Sequence, residues 1–366
     1  MKPPRIGFDA QTLTGERQTG LGVYSRGLTD ILKKHPEALK LELLWPTEKR
    51  PFRRTLERLA WEQYYMVMEA IRKEVDLIHI PAFSVPKFSS IPKVVTAHDM
   101  IVTKQPGLMP PGSRWYFGRW IPSTYRAADH IIAVSHTTKS DLVNLLGLDP
   151  DDITVIHHGI DPVYTRTTDP HEINRIRHMN HVPMEFFLMV GSFEVRKNIH
   201  HAIDAFSRIS NSSNQLRLLL VGGESRYQRE MRALVKKLEL EEKVLFPGYI
   251  PDRELVTLYS VTTALLFPSA AEGFGLPLLE AMATGCPVIA SDLPVFHEIA
   301  GDAAAIVPAG DPTSLAEQML KMLEDPAYRA IYVRRGLARS LLYNWDHAAE
   351  ETLRVYLRIL KRRGKI

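Results

Sequence analysis

Cysteine is almost absent from this chain: Cys286 stands alone in 366 residues, so no internal disulfide can form. Set between Gly285 and an apolar run, it reads as a small buried hydrophobe, and a reducing, cytoplasmic setting is expected. Long apolar runs are missing too, and no segment approaches the roughly 20 residues that cross a bilayer. Met1-Lys-Pro-Pro4 leads straight into a strand pattern at Arg5–Ala10, so a signal peptide is not expected. Charge of one sign is also scarce. The formal net charge of +4 and the pI near 9.0 are too mild to call for nucleic acid.

Hydrophobic residues at 45% and charged residues at 24% are ordinary globular values, while 25 prolines suggest many punctuated loops. The length suits two domains. Strand-like runs alternate with helical patterns throughout, from Arg5–Ala10 to Ala304–Val307, which argues parallel α/β sheets. Residues 165–183 are polar and lack strand character, so the boundary is expected near 170–183. That gives a first domain over 1–170 and a second over 184–345, followed by a helical, Lys- and Arg-rich segment over 346–366. The positive charge is uneven. Lys87, Lys93, Lys104, Arg114, Arg119 and Arg126 face only Asp99 and are interleaved with Trp115, Tyr116, Phe117 and Trp120. A second cluster, Lys49-Arg-Pro-Phe-Arg-Arg54, precedes Trp61, Tyr64 and Tyr65. Each reads either as a solvated face over core aromatics or as a membrane-surface patch.

Three loops carry chemistry. In the first, the apolar run Thr263–Pro268 leads into Glu272-Gly-Phe-Gly-Leu-Pro-Leu-Leu-Glu280. The glycines allow close backbone approach, Pro277 suits a first helical position and Gly285 ends the helix. Glu272 and Glu280 can then turn to one ligand beside a helix N-terminus, where carboxylates suit hydroxyl groups. The blander alternative makes Glu280 a dipole cap and Glu272 a solvated acid. In the second loop, Gly191 begins Ser-Phe-Glu-Val-Arg196-Lys197-Asn198 after a strand, with Asn198 as N-cap. Two cations at a strand's carboxyl end suit a diphosphate. In the third, His98-Asp99 follows the strand Lys93–Ala97. Taken alone, such a His is more often structural, and Asp99 is expected to orient or pack locally. Gly20-Leu-Gly22 opens a helix whose amides can meet phosphate or sugar oxygens. A dinucleotide fingerprint would want a third glycine where Ser25 stands and a shorter insert after Ala10.

The segment from Glu272 through Ser291 resembles the donor-site signature of retaining GT-B glycosyltransferases of family 4, in which two Glu residues are separated by seven others, as they are in this chain. Ala133-Val-Ser-His136, Val155–Asp161 and Phe246–Glu254 extend the resemblance. It implies a GT-B fold, with two facing Rossmann-like domains and a deep interdomain cleft, and a C-terminal helix packed back on the first domain. It implies phosphate contacts at Arg196 and Lys197 beside Gly191, and ribose hydroxyls at Glu280. Sugar or phosphate would lie at Glu272, Gly273, Phe274, Gly275 and Leu276, and a nucleobase read by backbone at Tyr249 and Ile250. Gly20 and Gly22 would lie close to donor phosphate, and His98 would approach the transferred sugar. His158 stands where many members have Asn, which leaves its role open.

The resemblance implies retaining, metal-independent hexosyl transfer from a nucleoside diphosphate sugar to a glycan or lipid-linked glycan, with a peripheral place at the inner membrane surface. GDP-mannose is favoured, because Gly20-Leu-Gly-Val-Tyr24 and His157-His-Gly-Ile-Asp161 look like bacterial mannosyltransferases of surface polysaccharide assembly. UDP-sugars remain open. The alternatives are an NAD(P)-dependent oxidoreductase, which would bind reduced nicotinamide, and a sugar-nucleotide sensor without turnover.

Overall fold

The computed structural model describes residues 2–14, 19–46, 52, 54–108, 111–179 and 182–366. Lys49, Arg50, Pro51 and Arg53 of the second basic cluster, and residues 15–18 of the insert after Ala10, lie outside them. The chain divides into two units. The first holds residues 1–159 together with Asn344–Ile366, and the second holds Ile160–Tyr343.

Each unit is built on one six-stranded parallel sheet. In the first, β1 (Arg5–Asp9), β2 (Lys40–Leu44), β3 (Leu77–Ile80), β4 (Lys93–Ala97), β5 (His130–Ala133) and β6 (Ile153–Val155) lie in the order β2-β1-β3-β4-β5-β6. In the second, β7 (Phe186–Val190), β8 (Arg217–Val221), β9 (Val244–Gly248), β10 (Ala264–Phe267), β11 (Val288–Ser291) and β12 (Ala305–Val307) lie in the order β12-β11-β10-β7-β8-β9. These strands are apolar almost continuously because helices cover both faces. In the first sheet, Ile78, Ile80 and Val95 point into one core, and Ile6, Phe8, Leu77 and Val94 into another. Strand order reverses between β1 and β3 in the first unit and between β7 and β10 in the second. Open sheets of this kind hold ligands outside the carboxyl ends of the strands at such a reversal.

The boundary expected near 170–183 falls instead at Gly159–Ile160. Residues 170–179 form a helix, Pro170–Met179, in which only Ile176 is buried. A helix with so narrow an apolar stripe reads as polar linker in sequence. The chain re-enters the first unit as the helix Trp345–Arg362. Trp345, Ala348, Tyr356 and Ile359 on its inner face share a core with Phe8, Leu28 and Ile132. Among the described residues no helix is long and apolar enough to cross a membrane.

Trp345 packs directly on the first helix, Gly20–Leu32. A Cβ placed at Gly27 would lie 2.2 Å from Trp345 Cε2, closer than any real contact. Gly27→Ala must therefore displace the indole or the helix. It should cost about 1–3 kcal/mol, read as a fall in the urea midpoint. An unchanged midpoint would mean that the C-terminal helix shifts freely.

Candidate active site

The loops after β7 and β10, the two strands at the reversal in the second unit, are stitched together by backbone. Ala270 N–H donates to Arg196 O at 2.7 Å, and Asn198 Nδ2 donates to Pro268 O at 3.0 Å. Asn198 therefore does not cap the helix Ile199–Ile209 with its side chain, contrary to the sequence expectation. Its backbone lies in the left-handed region at φ 50°, and the amide turns to the neighbouring loop instead.

This stitching gathers Arg196, Lys197 and Glu272. Lys197 Nζ donates to Glu272 Oε1 at 2.5 Å, and Arg196 Nη1 lies 3.0 Å from Oε2. Arg196 is itself fixed by Glu194 Oε2 at 2.7 Å and by Ala271 O at 3.2 Å. The Lys197 and Glu272 side chains are each only 9% exposed. Burial pushes the Glu272 carboxyl up, but Lys197 and Arg196 outweigh it and hold the group below the usual carboxylate range. Glu272 is thus a buried carboxylate between two cations rather than a solvated loop acid.

From Glu272 the chain runs through the buried Gly273 and Phe274 to Gly275, where φ is 102°. A Cβ at Gly275 would meet Phe296 at 3.2 Å and Phe267 at 3.3 Å, so both backbone and space require glycine. The helix Leu276–Ala283 starts one residue before Pro277, which therefore occupies its second position rather than its first. Glu280, on this helix, accepts from Tyr259 Oη at 3.1 Å. Burial, with Asp252 and Asp161 nearby, pushes its carboxyl up to about 8 although Tyr259 pulls the other way. Near neutral pH it is mostly a neutral acid, not the fixed charge that the motif suggested.

Gly191, at φ 141°, donates its N–H to Val221 O, and Gly222 N–H donates to Gly248 O. The loop carrying Tyr249 and Ile250 is thereby placed beside that of Gly191. Tyr249 is exposed and Ile250 buried.

Gly20, Gly22 and His98 belong to the first unit. Thr19 Oγ1 accepts from Gly22 N–H at 3.2 Å, which uses one of the amides thought open to a ligand. His98 follows β4, and its Nε2 lies 2.7 Å from Pro81 O. A carbonyl only accepts, so Nε2 carries the proton. Burial pulls the imidazole down to about 4 against the opposing effect of that carbonyl. His98 is therefore neutral near pH 7 and presents Nδ1 as an acceptor. Asp99 Oδ1 accepts from Ile101 N–H at 2.9 Å, a local role as expected. His158 is buried among the rings of Tyr24, His98 and Trp345. Sequence reasoning missed Glu194 and Tyr259. The Glu-Val-Arg spacing hints at the first, whereas nothing local marks the second.

Residues 172–339 match the family model for glycosyl transferases group 1, and residues 28–164 match that for glycosyltransferase family 4. The O-antigen chain mannosyltransferase B of Escherichia coli is 27% identical over 289 residues, spanning 78% of this chain and 76% of that protein. The O-antigen chain mannosyltransferase RfbU of Salmonella typhimurium is 32% identical over 225 residues, spanning 61% of this chain and 58% of that protein. Among solved structures, Anabaena HepE in complex with UDP and glucose has a TM-score of 0.74 at 19% identity, covering 97% of this chain and 100% of that one. WaaG, a glycosyltransferase involved in lipopolysaccharide biosynthesis, also gives 0.74 at 19% identity, covering 96% and 99%.

The fold is GT-B, and the family matches on both halves make the chain a glycosyltransferase. It belongs to family 4, the group 1 glycosyltransferases, and is mannosyltransferase-like.

The raised Glu280 acidity has a signed consequence. Between its ordinary value of 4.5 and about 8 the native state holds a proton that the unfolded chain has lost, so this group's contribution to stability declines as pH rises through that window. Glu280→Gln should therefore melt higher than wild type at pH 9 and close to it at pH 4. Parallel melting curves across that range would show that Glu280 ionises normally.

Proposed function

We propose that the protein transfers mannose from GDP-mannose to a glycan, lipid-linked or free, with retention at the anomeric carbon and without a metal ion. One observation carries this reading: Arg196 and Lys197 are held together on Glu272 at the strand reversal, with Arg196 partly open. A diphosphate arriving there meets a planar fork and a point charge already positioned. As the bond from the anomeric carbon to the diphosphate oxygen breaks, negative charge grows on the leaving group. The two cations offset it with little reorganisation.

Glu272 is engaged by both cations, so it is poorly placed as a nucleophile for a double displacement. The acceptor hydroxyl attacks on the face from which the diphosphate departs and gives its proton to the departing phosphate oxygen. Glu280 pairs with the ribose hydroxyls, and Gly191 and the amides from Gly273 to Leu276 line the phosphates and sugar. The backbone of Tyr249 and Ile250 reads the base, and Gly20 contributes an amide near phosphate, the Gly22 amide being engaged by Thr19. His98 accepts a hydrogen bond from a sugar hydroxyl through Nδ1. Mannose is supported by the two O-antigen mannosyltransferase relatives. HepE, solved with UDP and glucose, keeps UDP-glucose as the second donor. The cytoplasmic face of a membrane is the setting that suits the exposed Arg114, Trp115 and Arg119.

A thermal-shift series with GDP, UDP, ADP and their sugars tests the donor, because a ligand that binds only the native state raises the melting temperature. GDP and GDP-mannose should give the largest shifts, and a larger shift with reduced nicotinamide nucleotides would point to the oxidoreductase instead.

Arg196→Ala and Lys197→Ala should each lower turnover by about 10²–10³, with activity retained in EDTA. Lys197→Ala should also cost stability, up to about 3–5 kcal/mol and less to the extent that Arg196 keeps Glu272 paired. Activity lost on chelation and restored by added metal would overturn the metal-free reading.

A further inference from the structure

Three consecutive residues of the first unit, Trp61, Glu62 and Gln63, take no part in the reaction described above, yet each side chain is committed to a different part of the fold. Trp61 Nε1 donates to Asp9 Oδ1 at 3.0 Å, at the end of β1. Glu62 accepts from Tyr116 Oη at 2.5 Å through Oε1 and from Ser84 Oγ through Oε2. Gln63 Nε2 donates to Ser84 Oγ and to Val85 O, both at 3.0 Å, and its Oε1 accepts from Lys87 N–H at 3.1 Å. Neighbouring residues on a helical turn do not face the same way, which lets one short stretch reach all of these partners. Glu62 is fully buried. That is a costly place for a carboxyl unless its oxygens are hydrogen-bonded, as both are here.

The partners of Glu62 share a feature. Ser84 follows Phe83 and Tyr116 precedes Phe117, and both phenylalanines line a cavity of about 210 Å³ in the same unit. His98, Asp99, Ile121 and Tyr125 belong to the same wall, whereas Glu62 stands behind it. Phe83 adopts φ 74°, a left-handed conformation that a bulky residue keeps only where its surroundings over-determine it. The bonds from Glu62 and Gln63 to residues 84–87 supply that constraint. Arg58, four residues before Glu62, places its guanidinium carbon 4.6 Å from the Phe83 ring centroid and 5.7 Å from that of Tyr116, so the cation and the acid hold the same two elements. Trp61–Tyr65 and Tyr116–Trp120 are both π-helical turns, a widened geometry that is common at functional sites. The bond between Glu62 and Tyr116 joins one turn to the other.

We propose that Glu62 is a positioning residue for the sugar that meets His98: through Ser84 and Tyr116 it fixes Phe83 and Phe117, and with them the wall of the cavity beside that imidazole. This rests on the transferase reading, which gives His98 to the sugar and the base and ribose to loops of the second unit. A residue acting in this way governs the sugar and leaves the nucleotide alone.

The probe is methyl α-D-mannoside, titrated into the full-length protein in excess of whichever of GDP and UDP stabilises it. Binding is followed by saturation transfer from protein to sugar protons, with the nucleotide thermal shift read on the same samples. Glu62→Ala should weaken the sugar about tenfold, the order that one misplaced hydrogen bond costs, and leave the nucleotide shift unchanged. Glu62→Gln, whose amide accepts from one hydroxyl and donates to the other, should recover most of that affinity. Phe83→Ala should weaken the sugar as well, and Glu62→Ala added to it should cost little more, because the two act through one wall. Sugar affinity unchanged by Glu62→Ala, sugar affinity lost together with the nucleotide shift, or additive effects of the two substitutions would each overturn the proposal. So would a wild-type protein that nucleotide stabilises but that transfers no saturation to the sugar. Sugar binding that depends on Glu62 in a protein stabilised by neither nucleotide would uphold the positioning role and overturn the transferase reading instead.

Discussion

Glu272 is a carboxylate whose own desolvation is unfavourable, and it stays ionised because Lys197 and Arg196 reach it from the next loop. The dependence runs both ways. Without that anion, two adjacent cations at the start of a helix would repel each other and oppose the helix dipole. The bonds from Ala270 and Asn198 across the same gap keep the loops at a fixed distance, so the ion triad is a property of the β7–β10 reversal and not of one loop. Gly275 turns the chain immediately afterwards, and the helix bearing Glu280 follows from that turn. The second unit's candidate site is therefore one connected object, organised around a charge that would be costly alone.

The two acids of the site have opposite electrostatic fates although they stand close in sequence. Glu272 has cations beside it and is held below the usual range, whereas burial, helped by two nearby acids and opposed by the Tyr259 hydroxyl, pushes Glu280 up to about 8. A pair of carboxyls tuned apart in this way can divide labour. In the proposed reaction one holds the cations for an anion, and the other meets hydroxyl groups as both donor and acceptor.

Much of this was legible in sequence, because the relevant signals are local. Apolar runs such as Phe186–Val190 and Ala264–Phe267 announce buried parallel strands, and loops rich in Gly and charge announce the ends where ligands sit. What sequence could not carry was set by packing. The boundary was misplaced because the helix Pro170–Met179 hides one buried isoleucine in a polar pattern. Asn198 has the composition of a cap but a left-handed backbone that redirects it. The charge of Glu280 depends on its burial, with Tyr259 pulling the other way, and the ring of Phe83 lies under Arg58, a residue 25 positions away in the chain. A reader of one strand and its turn has no access to such neighbours.

The return of residues 344–366 to the first unit also bears on how the chain is made. A ribosome delivers residues from the N-terminus, and domains ordinarily fold in that order as they emerge. In this protein Ile6, Phe8, Leu28, Leu77 and Ile132 share a core with Tyr356, Ile359 and Leu360, which are synthesised only after the whole of the second unit. The second unit is contiguous in sequence, Ile160–Tyr343, whereas the first is not. The first core can therefore be completed only after the second unit has been synthesised, and while more than half the chain is translated its earliest residues lack the helix that finishes their packing.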